Sequence, residues 1–335
     1  MRAVALTLLM FASALASCQC KSAGDDPNGL PRRADRDDDE RCDPKEPRIC
    51  IGNSLVACEE DGYLGRRLRT CKDGCKNNRC VAQCDDDANK LIYLVDDSNN
   101  FLSYDPRKNG DPFRLIGKLD CGDYTSPFSM SVDRQGIAWV GYQSGEMYKV
   151  DIHSAKCEPS GFIVGSAGSS TFGMGFSTDD ATAKGEKLYV SGNAARSLAV
   201  IDTEKTPPAV RTLGSIEASY DGSNPELTGT NEGKLFGFFP VGYGTSFIQE
   251  IDKKTGAAVG QKWSVGDIGP VSAWAFAHWG GIFFVFVTVN SGPRVYSVNR
   301  TTGESKIVMG SIPYRVTGAG VSTCAPERDV GQNPP

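Results

Sequence analysis

Two carboxylates on either side of one glycosidic bond are enough to hydrolyse it, one as acid and the other as base or nucleophile. In this 335-residue sequence the acid best placed for such a role is Glu226, in the small and apolar segment Pro225-Glu226-Leu227-Thr228-Gly229. Asp123 and Asp221 stand in connections able to approach it, beside Gly122 and Gly222. The competing reading of Glu226 is structural. A lone buried acid needs a partner, and Arg315 is the expected one. The aromatics Tyr124, Phe128, Trp274 and Tyr314 are able to stack on a sugar or clamp a peptide. Glu226, Trp274, Arg315 and Phe128 therefore make up the candidate ligand site.

Other chemistries lack their residues. His153 and His278 are the two histidines, and neither stands near a GxSxG or HExxH motif. His278, in Ala277-His278-Trp279-Gly280, reads as a turn residue in the place that Asp133 and Asn231 hold elsewhere. There is no GxxxxGK[ST] phosphate loop. The spacing of Cys71, Cys75, Cys80 and Cys84 is loosely that of a zinc site, but it has no CxxC pair and no nearby histidine. The expectation is no enzyme, no cofactor and no metal. A formal net charge of −5 argues against nucleic acid, whose phosphates call for a clustered basic surface.

The elements that position these residues repeat. An apolar-aromatic strand begins near Tyr93, Trp139, Tyr189, Phe236 and Phe284, at intervals of 46, 50, 47 and 48 residues. A second marker follows each: a strand ending at Asp105, Asp151, Asp202, Asp252 or Asn299, at intervals of 46, 51, 50 and 47. Two markers at one period define an internal repeat. A carboxylate or amide at these strand ends accepts hydrogen bonds from the following backbone and holds a turn. Four short strands per unit, with aromatic punctuation, predict an all-β fold, a β-propeller. Five blades fit the period. Six is the alternative, with a further sheet near 157–172 or 214–226. The first strand of each unit carries small residues, as in Ser129-Met130-Ser131 and Gly173-Met174-Gly175. These suit the crowding about a propeller axis.

The ends of the repeat region fit together. The unit at 90–120 lacks a first strand, and Val316-Thr317-Gly318-Ala319-Gly320-Val321-Ser322 reads as a first strand without its unit. Together they complete a blade and remove the sheet edges that an open ring would expose. Cys84 precedes the incomplete unit and Cys324 follows the lone strand, so closure predicts a Cys84–Cys324 bridge. Cys121 and Cys157 are expected to pair between the first two blades. The remaining cluster, Cys42, Cys50, Cys58, Cys71, Cys75 and Cys80, marks a small module that cannot bury enough core to fold without cross-links. Six cysteines allow 15 connectivities, and the spacing does not choose among them.

Twelve cysteines fit an oxidising compartment, and the N-terminus supplies an export signal. Met1-Arg2 leads into an apolar run to Leu15, and small residues precede Cys18. Leu15-Ala16-Ser17-Cys18 resembles the lipobox of bacterial lipoproteins. The resemblance implies that Cys18 is lipidated after cleavage and becomes the new N-terminus. Gln19 in place of Asp then implies an outer-membrane destination. The whole arrangement resembles bacterial lipoproteins that join a cysteine-rich module to a propeller, a resemblance that brings no activity with it.

The expected organisation is a signal peptide at 1–17, an acidic flexible tether at 18–41 and the disulfide-rich module at 42–84. A propeller at 85–326 and a disordered tail at 327–335 follow. The function expected of it is a non-catalytic binding scaffold, lipid-anchored in the cell envelope, with a surface protein or glycan as partner. The alternative is a carbohydrate-active hydrolase using Glu226 and a second carboxylate.

Overall fold

In the computed structural model the described residues are 41–46, 48–71, 74–76, 79–80, 84, 86–181, 185–192, 197–216 and 225–328. The chain divides into two compact units, Met1–Val81 and Ala82–Pro335. Cys84, taken from the sequence as the end of the small module, belongs to the second unit, because Cys324 holds it there. Cys18, the signal segment and the tether lie outside the described residues.

The first unit is short-stranded and cross-linked. β1 (Arg48–Ile51), β2 (Ser54–Cys58) and β3 (Leu64–Thr70) form one antiparallel sheet in that order. β4 (Cys75–Lys76) pairs with β5 (Arg79–Cys80). Cys42 is bonded to Cys58 and Cys50 to Cys75, and Cys71 is also in a disulfide. Val56, Leu64 and Cys71 are its buried hydrophobics among the described residues. So small a core explains why covalent links take its place.

In the second unit a 3-10 helix, Asp87–Lys90, is capped by the Asp86 carboxylate, which accepts from the Ala88 N–H. Then come β6 (Ile92–Asp96), β7 (Asn100–Tyr104) and β8 (Phe113–Lys118). The next sheet is β9 (Pro127–Val132), β10 (Ile137–Tyr142), β11 (Met147–Asp151) and β12 (Cys157–Pro159). β13 (Phe172–Thr178), β14 (Glu186–Gly192), β15 (Ser197–Asp202) and β16 (Ala209–Ser215) follow. Another sheet is β17 (Glu226–Gly229), β18 (Leu235–Phe239), β19 (Thr245–Ile251) and β20 (Ala258–Asp267). The last full one is β21 (Val271–Trp279), β22 (Ile282–Val289), β23 (Gly292–Asn299) and β24 (Ser305–Met309). β25 (Val316–Val321) returns to pair with β6, Val316 opposite Asp96 and Val321 opposite Ile92. Among the described residues there are thus six sheets of three or more strands, five of them four-stranded and all five in this unit. Residues 160–171 hold turns and no strand, and 217–224 lie outside the described residues.

The first strands meet in a cycle, β9 to β13 to β17 to β21 to β25 and back to β9. The unit is a β-propeller. Sheets stacked face to face bury both sides of their inner strands, so β6 and β18 are buried throughout and read as continuous apolar runs rather than alternations. Outer strands such as β16 and β24 carry exposed residues. The cycle is tight: a Cβ on Gly173 would lie 2.2 Å from the Pro225 carbonyl oxygen, and one on Gly320 2.7 Å from the Ser131 Cα. Only glycine allows these backbones to approach so closely.

The five repeated strand-end residues all make turns. Asp105 Oδ1 accepts from Arg107 N, Asp151 Oδ1 from His153 N and Ser154 N, and Asp202 Oδ1 from Glu204 N. Asp252 Oδ1 accepts from Lys254 N and Thr255 N, and Asn299 Oδ1 from Thr301 N and Thr302 N. One side-chain oxygen thus bonds the backbone two residues on in every blade, the same solution to the same turn.

Candidate functional site

Strand pairing sets equivalent places around the axis. Glu226 pairs with Phe238, as Ser129 does with Gly141, Gly173 with Ser191, Ala275 with Phe286 and Gly318 with Val95. One acid therefore stands in a ring of serine, alanine and glycine. Its carboxyl accepts from the Ser129 hydroxyl and, at 3.3 Å, from the Met174 N–H. Glu226 on β17 thus reaches past β13 to β9. It is 2% exposed. Burial drives its pKa well above the usual carboxylate range, and the bonds from Ser129 and Met174 only partly offset that. First strands of neighbouring sheets do not form a ladder, so their backbone N–H groups need other acceptors. Ser131 Oγ accepts from Phe176 N at 2.9 Å and Thr228 Oγ1 from His278 N at 3.2 Å. Glu226 does the same for Met174. Its role here is that of a buried acceptor.

Arg315, expected on a first strand as the partner of Glu226, is elsewhere. It stands one residue before β25, donates to the Asp97 carboxylate at 3.3 Å and to the Ser272 carbonyl. That leaves Glu226 without a cation among the partners named, the reason burial governs its ionisation. Phe128 and Trp274 are half-buried, and Trp274 packs on the core formed by Phe236, Trp263 and Phe276. Tyr314 leans on Phe113, ring centroids 5.4 Å apart. Tyr124 alone of the four candidate aromatics is fully exposed, at 104%. Asp123 Oδ1 accepts from Thr125 N at 2.8 Å and Oδ2 from the Ser144 hydroxyl, so it works as a loop fastener. Asp221 lies outside the described residues. The candidate site residues are thus dispersed rather than gathered in one place.

The strand starts and finishes define two ends of the propeller: a leading end, where β9, β13, β17, β21 and β25 begin, and a trailing end, where they finish. The trailing end holds a polar network that sequence reasoning missed. Arg134 donates to Thr323 Oγ1 at 2.8 Å and to Asn231 Oδ1. Glu186 accepts from Arg134 N at 2.6 Å and from Thr323 Oγ1 at 2.7 Å. Burial and the nearby Asp133 push Glu186 up to about 7. Glu327 accepts from Asn231 N, and burial raises it likewise to about 7. Glu327, placed in the tail by the sequence, is thus part of the folded body. Turn residues of separate blades meet here only because the ring closes, which gives no local sequence signal.

His278 is a strand residue rather than a turn residue. It pairs with Phe283, which aligns it with Val132, Phe176, Gly229 and Val321 and not with Asp133 or Asn231. The tight turn at Gly280-Gly281 is shorter than the others, so β21 runs on through Trp279. The ring is 2% exposed and stacks over Phe236, its Nδ1 3.7 Å from Glu327 Oε2. Burial, and then Arg300, lower its pKa to about 3, so it is neutral. Among the described residues, no three or more metal-ligating side chains come together.

Comparison with known proteins gives no family: no protein-family description matches the chain, and no curated protein matches it. Among solved structures it is similar to a chain of a nidogen/laminin complex, with 11% identity over 82% of this chain and 96% of that one (TM-score 0.40). It is also similar to the extracellular domain of the BT4673 two component system from B. thetaiotaomicron, with 15% identity over 81% and 35% (TM-score 0.35). BamB from Moraxella catarrhalis matches with 13% identity over 67% and 59% (TM-score 0.33). At these scores no residue role passes from those proteins to this one.

Proposed function

We propose that this chain is a lipid-anchored protein of the cell envelope, fixed at an outer membrane through Cys18, whose propeller is a non-catalytic binding scaffold. Residues 18–41 are the acidic spacer in this reading. The observation that carries the non-catalytic half is the burial of Glu226. Two-carboxylate hydrolysis needs an ionised group and an acid facing one bond. Glu226 is 2% exposed and its carboxyl is already bonded to Ser129 and Met174, with no second carboxylate among its named partners, while Asp123 fastens a loop. Exported cysteines that cross-link both units fit an oxidising compartment.

Fractionation of cells making the Cys18→Ser chain tests the anchor: release from membranes is expected, and unchanged retention sinks it. A panel of chromogenic glycosides tests the rest. Turnover that Glu226→Gln abolishes would replace the scaffold reading with the hydrolase one.

A further inference from the structure

The two ends of the propeller differ in surface chemistry. Among the described residues of the second unit, the exposed large hydrophobics that lie in loops are Tyr124, Ile163, Val164 and Tyr243. All four are in connections at the leading end. The trailing end holds instead the largely buried polar network of Arg134, Glu186, Arg300 and Glu327. Exposed apolar surface gathered on one face of a rigid body marks an interaction site.

Three of these residues cluster about one turn. The β10–β11 turn includes Ser144 and Gly145. Ser144 bonds to Asp123 through its hydroxyl and to Thr125 Oγ1 through its N–H, at 3.2 Å. The same turn meets Val164, whose Cγ1 would lie 2.6 Å from a Cβ on Gly145. The loop that carries Tyr124 and the segment Ile163-Val164 thus both border the same hairpin turn. Both chain neighbours of Tyr124 are tied down, so its ring is presented at 104% exposure on an ordered backbone. A tyrosine held this way loses little entropy on binding, the property of interface anchors.

The charge around it selects a partner. Asp120 and Glu146 are exposed in these same loops, and Asp123 stays ionised because bonds from Ser144 and Thr125 outweigh its partial burial. Of the cations at this end, Lys118 closes β8, and Arg315 is paired with Asp97, whose carbonyl accepts from Ser126. An exposed aromatic in loops that also carry carboxylates suits an arginine or lysine, whose stem lies on apolar surface while its head meets ring and carboxylate. We propose that the Tyr124–Ile163–Val164 surface docks a basic segment of a partner protein, with an arginine or lysine laid on the Tyr124 ring. The proposal rests on the scaffold reading and names its surface and partner class.

The test is fluorescence anisotropy of the full chain with a labelled peptide of alternating Arg and Ser, and with its Glu-for-Arg counterpart. The basic peptide is expected to bind and the acidic one to fail. Tyr124→Ala is expected to weaken binding about tenfold, the scale of an interface anchor. Tyr124→Phe keeps the ring face and most of the binding. Asp120→Asn with Glu146→Gln weakens it and flattens its salt dependence. Lys306→Ala, on β24, changes nothing. Equal binding of both peptides, no binding of the basic one, or Tyr124→Phe as damaging as Tyr124→Ala overturns the proposal. A photo-crosslinker at position 243 separates this from failure of the scaffold reading. A partner caught there while the basic peptide fails leaves the scaffold standing and removes the Tyr124 surface.

Discussion

Cys84 and Cys324 are 240 positions apart in sequence, yet their Cα atoms are 4.9 Å apart and their sulfurs are bonded. The bond lies beside the β25–β6 pairing, so one backbone ladder and one covalent link fasten the same seam of the ring. The ladder holds the seam only while the chain is folded, whereas the disulfide restricts the unfolded chain as well.

Replacing both cysteines by serine is therefore expected to cost up to about 5 kcal/mol, the chain-entropy value for so long a loop. Urea unfolding of the oxidised protein and the double variant measures it. A loss below about 1 kcal/mol would show that the ladder alone holds the seam and that the unfolded chain is compact without the link.

Gly173→Ala is expected to destabilise by about 3 kcal/mol, since its methyl would meet the Pro225 carbonyl oxygen at 2.2 Å and the Glu226 Cα at 2.8 Å. Gly242→Ala, with no atom within 4 Å of its added carbon, serves as the control. Thermal melts of the two variants should separate clearly, and equal melts would refute the tight contact between β13 and β17.

Stability should fall as pH rises from about 4.5 to 7. Glu226, Glu186 and Glu327 all bind a proton more tightly in the folded state than their ordinary value of 4.5, the last two titrating near 7. Stability from such groups is present below 4.5 and is lost as pH climbs through the folded value. His278 acts oppositely: lowered from 6.5 to about 3, it contributes above 6.5 and its share is lost as pH falls. Glu226→Gln mimics the neutral acid, so its melting temperature should exceed that of the parent at pH 8 and approach it at pH 5. A parallel decline in both proteins would mean that Glu226 is ionised in the fold.

Asp252→Ala and Asn299→Ala should each cost about 1 kcal/mol, the net worth of a lost hydrogen bond pair in an exposed turn. Asp252→Asn keeps an acceptor oxygen and should cost less than half as much. Chemical denaturation of the three variants decides whether the acceptor, rather than the charge, holds the turn.

The repeat and the strand-end turns were legible because each is set locally, and the seam because the repeat leaves one unit without its first strand. The same hairpin needs the same acceptor, and a blade missing its first strand calls for one from the far end. The bridge from Cys121 to Cys157 was legible on the same logic. The partner of Glu226 was not. Ser129 lies 97 residues away and meets it across the axis, a distance no local pattern encodes. His278 was misplaced because a turn of two glycines shifts the strand end, and a one-residue shift moves a side chain to the other face. Arg134, Glu186 and Glu327 sit in ordinary-looking turns and a tail, and only ring geometry brings them together.

The pairing of β25 with β6 also sets a timetable. Synthesis runs from the N-terminus, so β6 is made long before the strand that must lie beside it. Until Val321 has been added, the inner edge of that sheet is bare, open to any extended segment nearby. Completion of the ring therefore reports that the chain has been made at least that far. A product cut short before Val316 carries an unmated strand edge, which leaves it open to aggregation.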